Sequence, residues 1–261
     1  MPALITPPPA EPLVVTDPRT GRIWRIPRTP TTRLHADVRE RWFINVALPA
    51  HLFPVVVPAP FLAPALRQGA VVLSLCRIAM RHGGPTWMPL PMGPASDNCA
   101  LRIGCIDRRD GTPAVWVDHR YTDHVLGHVL PLLGFPAVLP LLETEQTQTR
   151  FQARTLDGAI DAVAEATDHR AVPPRLFVDG DELTDWVTAG VRSYGPTADP
   201  DRFALVDLEK CGHNRFVHLP EWRGILGTPW GRWVADGVYA TRDGCYEWRY
   251  LGEVDQAGNP C

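Results

Sequence analysis

The chain has 261 residues, 45% of them apolar, with a formal charge of −3, enough for one sizeable core and too nearly balanced to attract nucleic acid as a whole. Arginines stand beside acids rather than in a basic run, which excludes an obvious RNA- or DNA-reading surface. No stretch reaches the roughly 20 apolar residues of a membrane helix, and the proline-rich start lacks the regions of a secretory segment, so a cytoplasmic protein without a membrane partner is expected.

In chain order, residues 1–15 carry Pro7, Pro8, Pro9 and Pro12 and read as a flexible extended arm, with residues 16–261 as a single β-rich domain. Val14 to Ile26 predicts a hairpin about a Thr-Gly turn, its Arg22, Arg25 and Arg28 lying on a solvated edge. Acids and arginines at helical intervals predict a short amphipathic helix over Thr32 to Val46. Prolines 49, 54, 58, 60 and 64 then limit the chain to apolar connections. Ala70 to Met80 predicts a strand buried on both faces. Arg77 interrupts it and needs a partner or a cavity mouth, which makes it a candidate anion contact, with a structural ion pair or an exposed face as the alternatives. The loop that follows holds Trp87, Met88 and Met92, suited to covering an apolar pocket.

Cys99 to Ile106 and Pro113 to Val117 predict an antiparallel hairpin joined by Arg-Arg-Asp-Gly-Thr. Tyr121 to Leu133 takes on helical spacing, and Leu139 to Thr144 returns to an extended form. Further on, residues 143–158 predict exposed strand and turn, 159–166 a short helix, 175–187 a strand, an Asp-Gly turn and a helical or extended segment, and 202–211 a strand. A terminal hairpin is expected about Arg242, Asp243 and Gly244. Many short strands with few helices favour a closed or strongly curved sheet.

Asp118, His119 and Tyr121 follow an apolar strand and form a candidate acid–base and ligand-binding group: His119 and Asp118 for proton transfer, Tyr121 for a polar ligand atom. His124 and His128 share the spacing of one helical face, but no H-E-x-x-H or ligating cysteine pair accompanies them, so no metal is expected. His213 with Cys211 is a weaker polar pair. No cofactor fingerprint occurs. Lys210 is the only lysine, against 25 arginines. A guanidinium stays protonated, so imine chemistry would rest on Lys210 or the terminal amine.

Arg102, the Asp-Gly turn and the Gly134-Phe135-Pro136 segment together resemble the acetoacetate decarboxylase-like superfamily, over about residues 40 to 250, with motif support between Val71 and Glu143. The resemblance implies a cone-shaped, barrel-like β fold with a few short helices around a small-molecule pocket, and it raises the expectation of a homo-oligomer. In the decarboxylase a G-(aromatic)-P-K-K segment supplies the imine-forming lysine. Here Ala137 and Val138 stand in the two lysine positions, and the accompanying glutamate position falls near Asn98. The resemblance thus implies a divergent member without that lysine. Its expected role is a pocket for an organic acid, held by Arg102 with Arg77 and Tyr121. The alternatives are an imine-forming lyase or hydratase built on Lys210, or a non-catalytic interaction protein.

Overall fold

A computed structural model describes residues 11–18, 20–139, 141–168, 173–211 and 214–261. Most of the proline-rich arm and His213 lie outside the described residues. Seven strands form a closed barrel: β1 (Arg33–Leu48), β2 (Ala70–Pro85), β3 (Ser96–Asp107), β4 (Pro113–Thr122), β5 (Arg192–Pro196), β6 (Phe203–Cys211) and β7 (Gly237–Val254). Each pairs with the next in sequence, and β7 pairs with β1. Strands that alternate in direction cannot close an odd-numbered ring, so one neighbouring pair must be parallel. That pair is β4 with β5.

A parallel pair requires a long crossover, and residues 123–191 supply it. They carry three strands, Leu142–Gln146, Arg150–Thr155 and Asp161–Ala166, and the helix Gly180–Ala189. The three strands join Trp222–Thr228 and Gly231–Val234 in a separate five-stranded sheet. That sheet covers one outer side of the barrel. Trp42, Ile44 and Val46 of β1 pack there with Leu73, Leu101 and Trp116 against Phe151, Ala162, Ala164 and Leu226. The helix starts at Asp179, whose carboxylate accepts from the Glu182 amide, a normal N-cap. Its Leu183 and Val187 fill one end of the barrel with Phe43, Phe177 and Phe216.

The Val14 to Ile26 hairpin forms as expected, Leu13–Thr16 against Ile23–Ile26, and so does the β3–β4 hairpin, with Gly111 in the left-handed region at φ 74°. Three expectations are corrected. The stretch expected as helix, Thr32 to Val46, is strand from Arg33 onward. From Arg41 onward its side chains alternate between Trp42, Ile44 and Val46 on the outer face and Arg41, Phe43 and Asn45 on the inner one, and β2 and β7 hydrogen-bond both its edges. Residues 161–166 are also strand. Ala162 and Ala164 are buried on alternate positions, where small side chains let the sheet approach the barrel, and that packing outweighs alanine's modest helix preference. The terminal hairpin is one 18-residue strand. Asp243 takes φ 49° within it, but the register with β1 runs unbroken past it. The helical spacing of Tyr121 to Leu133 resolves into the end of β4 and two short 3-10 turns, Val125–Val129 and Pro131–Leu133.

Arg77 lies on the outer barrel face, paired across the sheet with Trp42 and Cys99 and 1% exposed. Its guanidinium binds Asp97 at 2.7 Å and Glu40 at 3.1 Å. The same two acids accept from Thr144 and Gln146 of the covering sheet. Arg77 therefore ties β1, β2 and β3 to the second sheet. Replacing it with Met strands two carboxylates against a low-dielectric surface. Urea denaturation of Arg77→Met is expected to show a loss of about 3 kcal/mol, with the acid-binding behaviour described below retained.

Candidate functional site

The open end of the barrel holds a cavity of about 1020 Å³. All seven strands contribute to its wall, among them Arg41 and Leu34 of β1, Cys76 of β2, Ala100 and Arg102 of β3, Val117 and Arg120 of β4, Ser193 of β5, Leu208 of β6 and Trp248 of β7. Above the barrel, the wall is completed by Trp24 and Ile26 of the N-terminal hairpin, by the loop bearing Trp87, Met88 and Met92, and by Leu126, Leu130 and Phe135 of the 3-10 segment. Trp24 meets His124 edge to face with ring centroids 5.8 Å apart, and Trp87 donates to the Thr31 hydroxyl at 3.1 Å. These contacts hold the covering segments together.

Three arginines converge at the inner end. Arg41 is 1% exposed, and its Nε donates to Cys76 Sγ at 3.3 Å. Its guanidinium lies 4.9 Å from the Phe43 ring centroid and 5.2 Å from that of Tyr246, while its Nη1 is buried with no hydrogen-bond partner among the described residues. Arg102 lies over the same Phe43 ring, at 5.4 Å. Arg120 reaches Ser193 Oγ at 3.4 Å. Among the described residues, no aspartate or glutamate lines the cavity, and none of these three arginines has a carboxylate within salt-bridge distance. A charge drawn out of water without a partner is costly, and Arg102 and Arg120, both half-buried, show it in their titration, whereas at Arg41 the lowering effect of burial is outweighed by Cys76 and Tyr246, which raise it. Burial first, and Arg41 second, pull Arg102 down to about 10. Burial and then Arg102 do the same to Arg120, also to about 10. Both remain charged at neutral pH, so the inner end is a preformed, acid-free cationic site.

Arg120 owes its place to a bulge. Ala100 pairs with Arg120 and Arg102 with Val117, which sets Asp118 and His119 together against Leu101. The extra residue reverses the alternation, so Arg120 rather than His119 shares the inner face with Val117. The sequence-derived residues divide accordingly. Arg102 lies in the inner cluster. His119 is exposed and bonds to Asp118 at 3.2 Å, that carboxylate raising its pKa against the opposing effect of burial; neither residue lines the cavity. Tyr121 touches the wall, but its hydroxyl donates to Asp157 at 3.0 Å, and burial followed by that carboxylate pushes the phenol well up. Arg77 lies on the opposite face. Of the two residues that follow the Gly134-Phe135-Pro136 segment, Ala137 is exposed and Val138 lines the cavity.

Lys210 stands on the inner face of β6, opposite Tyr246, and its amine donates to Thr188 Oγ1 at 3.1 Å. It is not among the residues that line the cavity, yet it is close enough to the arginines to feel them. Burial, then Arg41 and Arg102, lower it to about 8. Arg41 and Arg120 carry no local sequence signal: one lies in a stretch that reads as helix, and the other is one residue from the expected His119.

No family model matches the chain, and no curated protein resembles it in sequence. Solved structures do share its fold. An acetoacetate decarboxylase from Legionella pneumophila subsp. pneumophila str. Philadelphia 1 superposes with a TM-score of 0.54 at 11% identity, covering 88% of this chain and 91% of its own. The enduracididine biosynthesis enzyme MppR, with HEPES buffer bound, gives 0.52 at 14%, covering 97% and 98%. An acetoacetate decarboxylase-like enzyme from Sphingomonas wittichii RW1 gives 0.52 at 12%, covering 88% and 95%.

Because the chain has one lysine, selective 13Cε-lysine labelling yields a single lysine side-chain resonance. It is expected to titrate near pH 8, and the midpoint should rise in Arg41→Met, which removes a neighbouring cation. A midpoint at the ordinary value near 10.4 would show that Lys210 does not feel the arginine cluster.

Proposed function

We propose that this chain, whose fold is that of the acetoacetate decarboxylase-like proteins, is a pocket protein for an organic acid. The observation that carries the reading is the inner cluster of Arg41, Arg102 and Arg120, which faces the cavity with no acid to neutralise it. An anion entering the barrel takes the place of the missing counter-charge. It also satisfies the open Arg41 Nη1, and charge-assisted hydrogen bonds of this kind are the strong ones. Arg22 and Arg25, exposed at the cavity mouth, add a field that draws anions in. Tyr121 serves as wall rather than as a proton donor, and the placement of His119 and Asp118 on the outer side of the bulge gives them no route to a bound acid.

A second reading, an imine-forming lyase or hydratase, is favoured by one observation, the depressed pKa of Lys210. An amine that titrates near pH 8 is neutral in about a tenth of molecules at pH 7, and only the neutral amine attacks a carbonyl. The attack would require the Lys210 side chain to leave Thr188 and reach the cavity.

Calorimetric titration with a panel of carboxylates and their matched amides tests the first reading. Arg102→Met is expected to weaken acid binding ten- to a hundredfold, the effect of losing a hydrogen bond to a charged group, and to leave the amides unaffected. The empty variant should melt at the same temperature as the parent or a few degrees higher, since an uncompensated buried charge has gone. Unchanged acid binding in a folded variant would remove Arg102 from the site. Borohydride trapping with keto acids, followed by peptide mass analysis, tests the second reading; repeated failure to label Lys210 rejects it.

A further inference from the structure

We infer that the acid this cavity takes is amphiphilic: a carboxylate head at the arginine cluster carrying an extended apolar body of about ten carbons that runs toward the mouth. The inference rests on the organic-acid reading above and concerns the part of the ligand that reading leaves open.

Size is the first argument. A four-carbon keto acid has about seven heavy atoms. Even at the volume of liquid water per atom it would occupy on the order of 200 Å³, a fifth of the 1020 Å³ present. A cavity of this volume stands at the upper end of those that enclose drug-sized ligands.

Length is the second. Along β2 the wall runs from Cys76, beside Arg41, to Gly83 near the mouth. That is about 23 Å of extended chain, or about 17 Å of depth at a usual barrel tilt. A small acid bound to the arginines would leave most of that depth filled with water.

Polarity is the third. The fixed cluster of Arg41, Arg102 and Arg120 lies at the inner end, next to the plugging helix, where Arg102 also borders Phe43 and Trp186, while Arg22, Arg25 and Arg81 line the cavity with His35, His82 and His124 away from that cluster. Beyond the cluster the wall is largely apolar, with Ile78, Met80 and Trp248 in the barrel and Met88, Leu130 and Phe135 above it. Water in such a channel has few partners, and an apolar chain displaces it favourably. Methionine's flexible thioether suits a wall that must fit a body of variable shape. A convergent arginine cluster at the inner end and a largely apolar stretch of wall beyond it match an acid with a long hydrocarbon or aromatic tail.

The test is calorimetric titration of the intact protein with straight-chain carboxylates from butanoate to decanoate, kept below micelle-forming concentrations, alongside the primary alcohols of equal length. Affinity is expected to rise up to about fourfold per methylene with one site per chain. Each alcohol should bind more weakly than its acid, and Arg102→Met should remove most of that difference while preserving the dependence on length. A flat series, with butanoate binding as tightly as decanoate, overturns the amphiphile inference and leaves the organic-acid reading standing. If no acid of any length binds, or if alcohols match acids throughout, the organic-acid reading fails. Length dependence without a saturable single site would mark adsorption to the surface and would equally overturn the inference.

Discussion

The barrel closes with seven strands, and the direction of every element around it follows from that odd number. A ring of strands joined by hairpins alternates up and down, and seven cannot complete the alternation. The mismatch falls between β4 and β5, which run parallel and so cannot be joined by a turn. The intervening crossover, residues 123–191, supplies the two things an open-ended barrel lacks. Its strands cover one outer side of the barrel, and its helix blocks one end. The cavity exists because the other end receives only a hairpin, a loop and short turns.

The two faces of the barrel wall treat arginine in opposite ways. On the outer face Arg77 is buried between Asp97 and Glu40, with Thr144 and Gln146 completing the acids' hydrogen bonds. That arrangement is a satisfied network whose role is architectural. One residue away along β2, Cys76 faces inward to Arg41, and among the described residues the cations gathered there have no carboxylate partner. Neutral companions, an aromatic face for Arg41 and Arg102 and a thiol for Arg41, hold the guanidiniums in place without discharging them. The strain of unneutralised burial is visible in the lowered titration of Arg102, Arg120 and Lys210. A ligand that relieves it binds with an affinity the protein has arranged in advance, at the expense of the empty state's stability.

Lys210 has a double position in this scheme. Its depressed pKa comes from the surroundings that prepare the cavity for an anion, burial and the arginines. It therefore reports on the arginine cluster whether or not it performs chemistry. A lysine held near pH 8 and anchored to Thr188 on the plugging helix also links the cavity's inner end to the element that closes the barrel.

Local pattern was sufficient for much of this chain. The β-rich composition, the two hairpins, the Ala70 to Met80 strand, the tryptophan and methionine cover and the absence of lysine at residues 137 and 138 are all legible in the residues, because each depends on neighbours close in sequence. Arg77 could be singled out as a charge within a buried strand, though not the choice among ion pair, exposed face and anion contact, since both its acids come from other strands. What only the tertiary structure decided was convergence. The bulge at Asp118 and His119 exchanges His119 for Arg120 on the inner face, and a shift of one residue reverses every later side chain. Arg41 reaches the cavity because its segment is strand, a state set by pairing with β7 some 200 residues away. Pairing over such separations leaves no trace in a local period, so the sequence alone could identify the kind of wall but not the side chains that face the space within it.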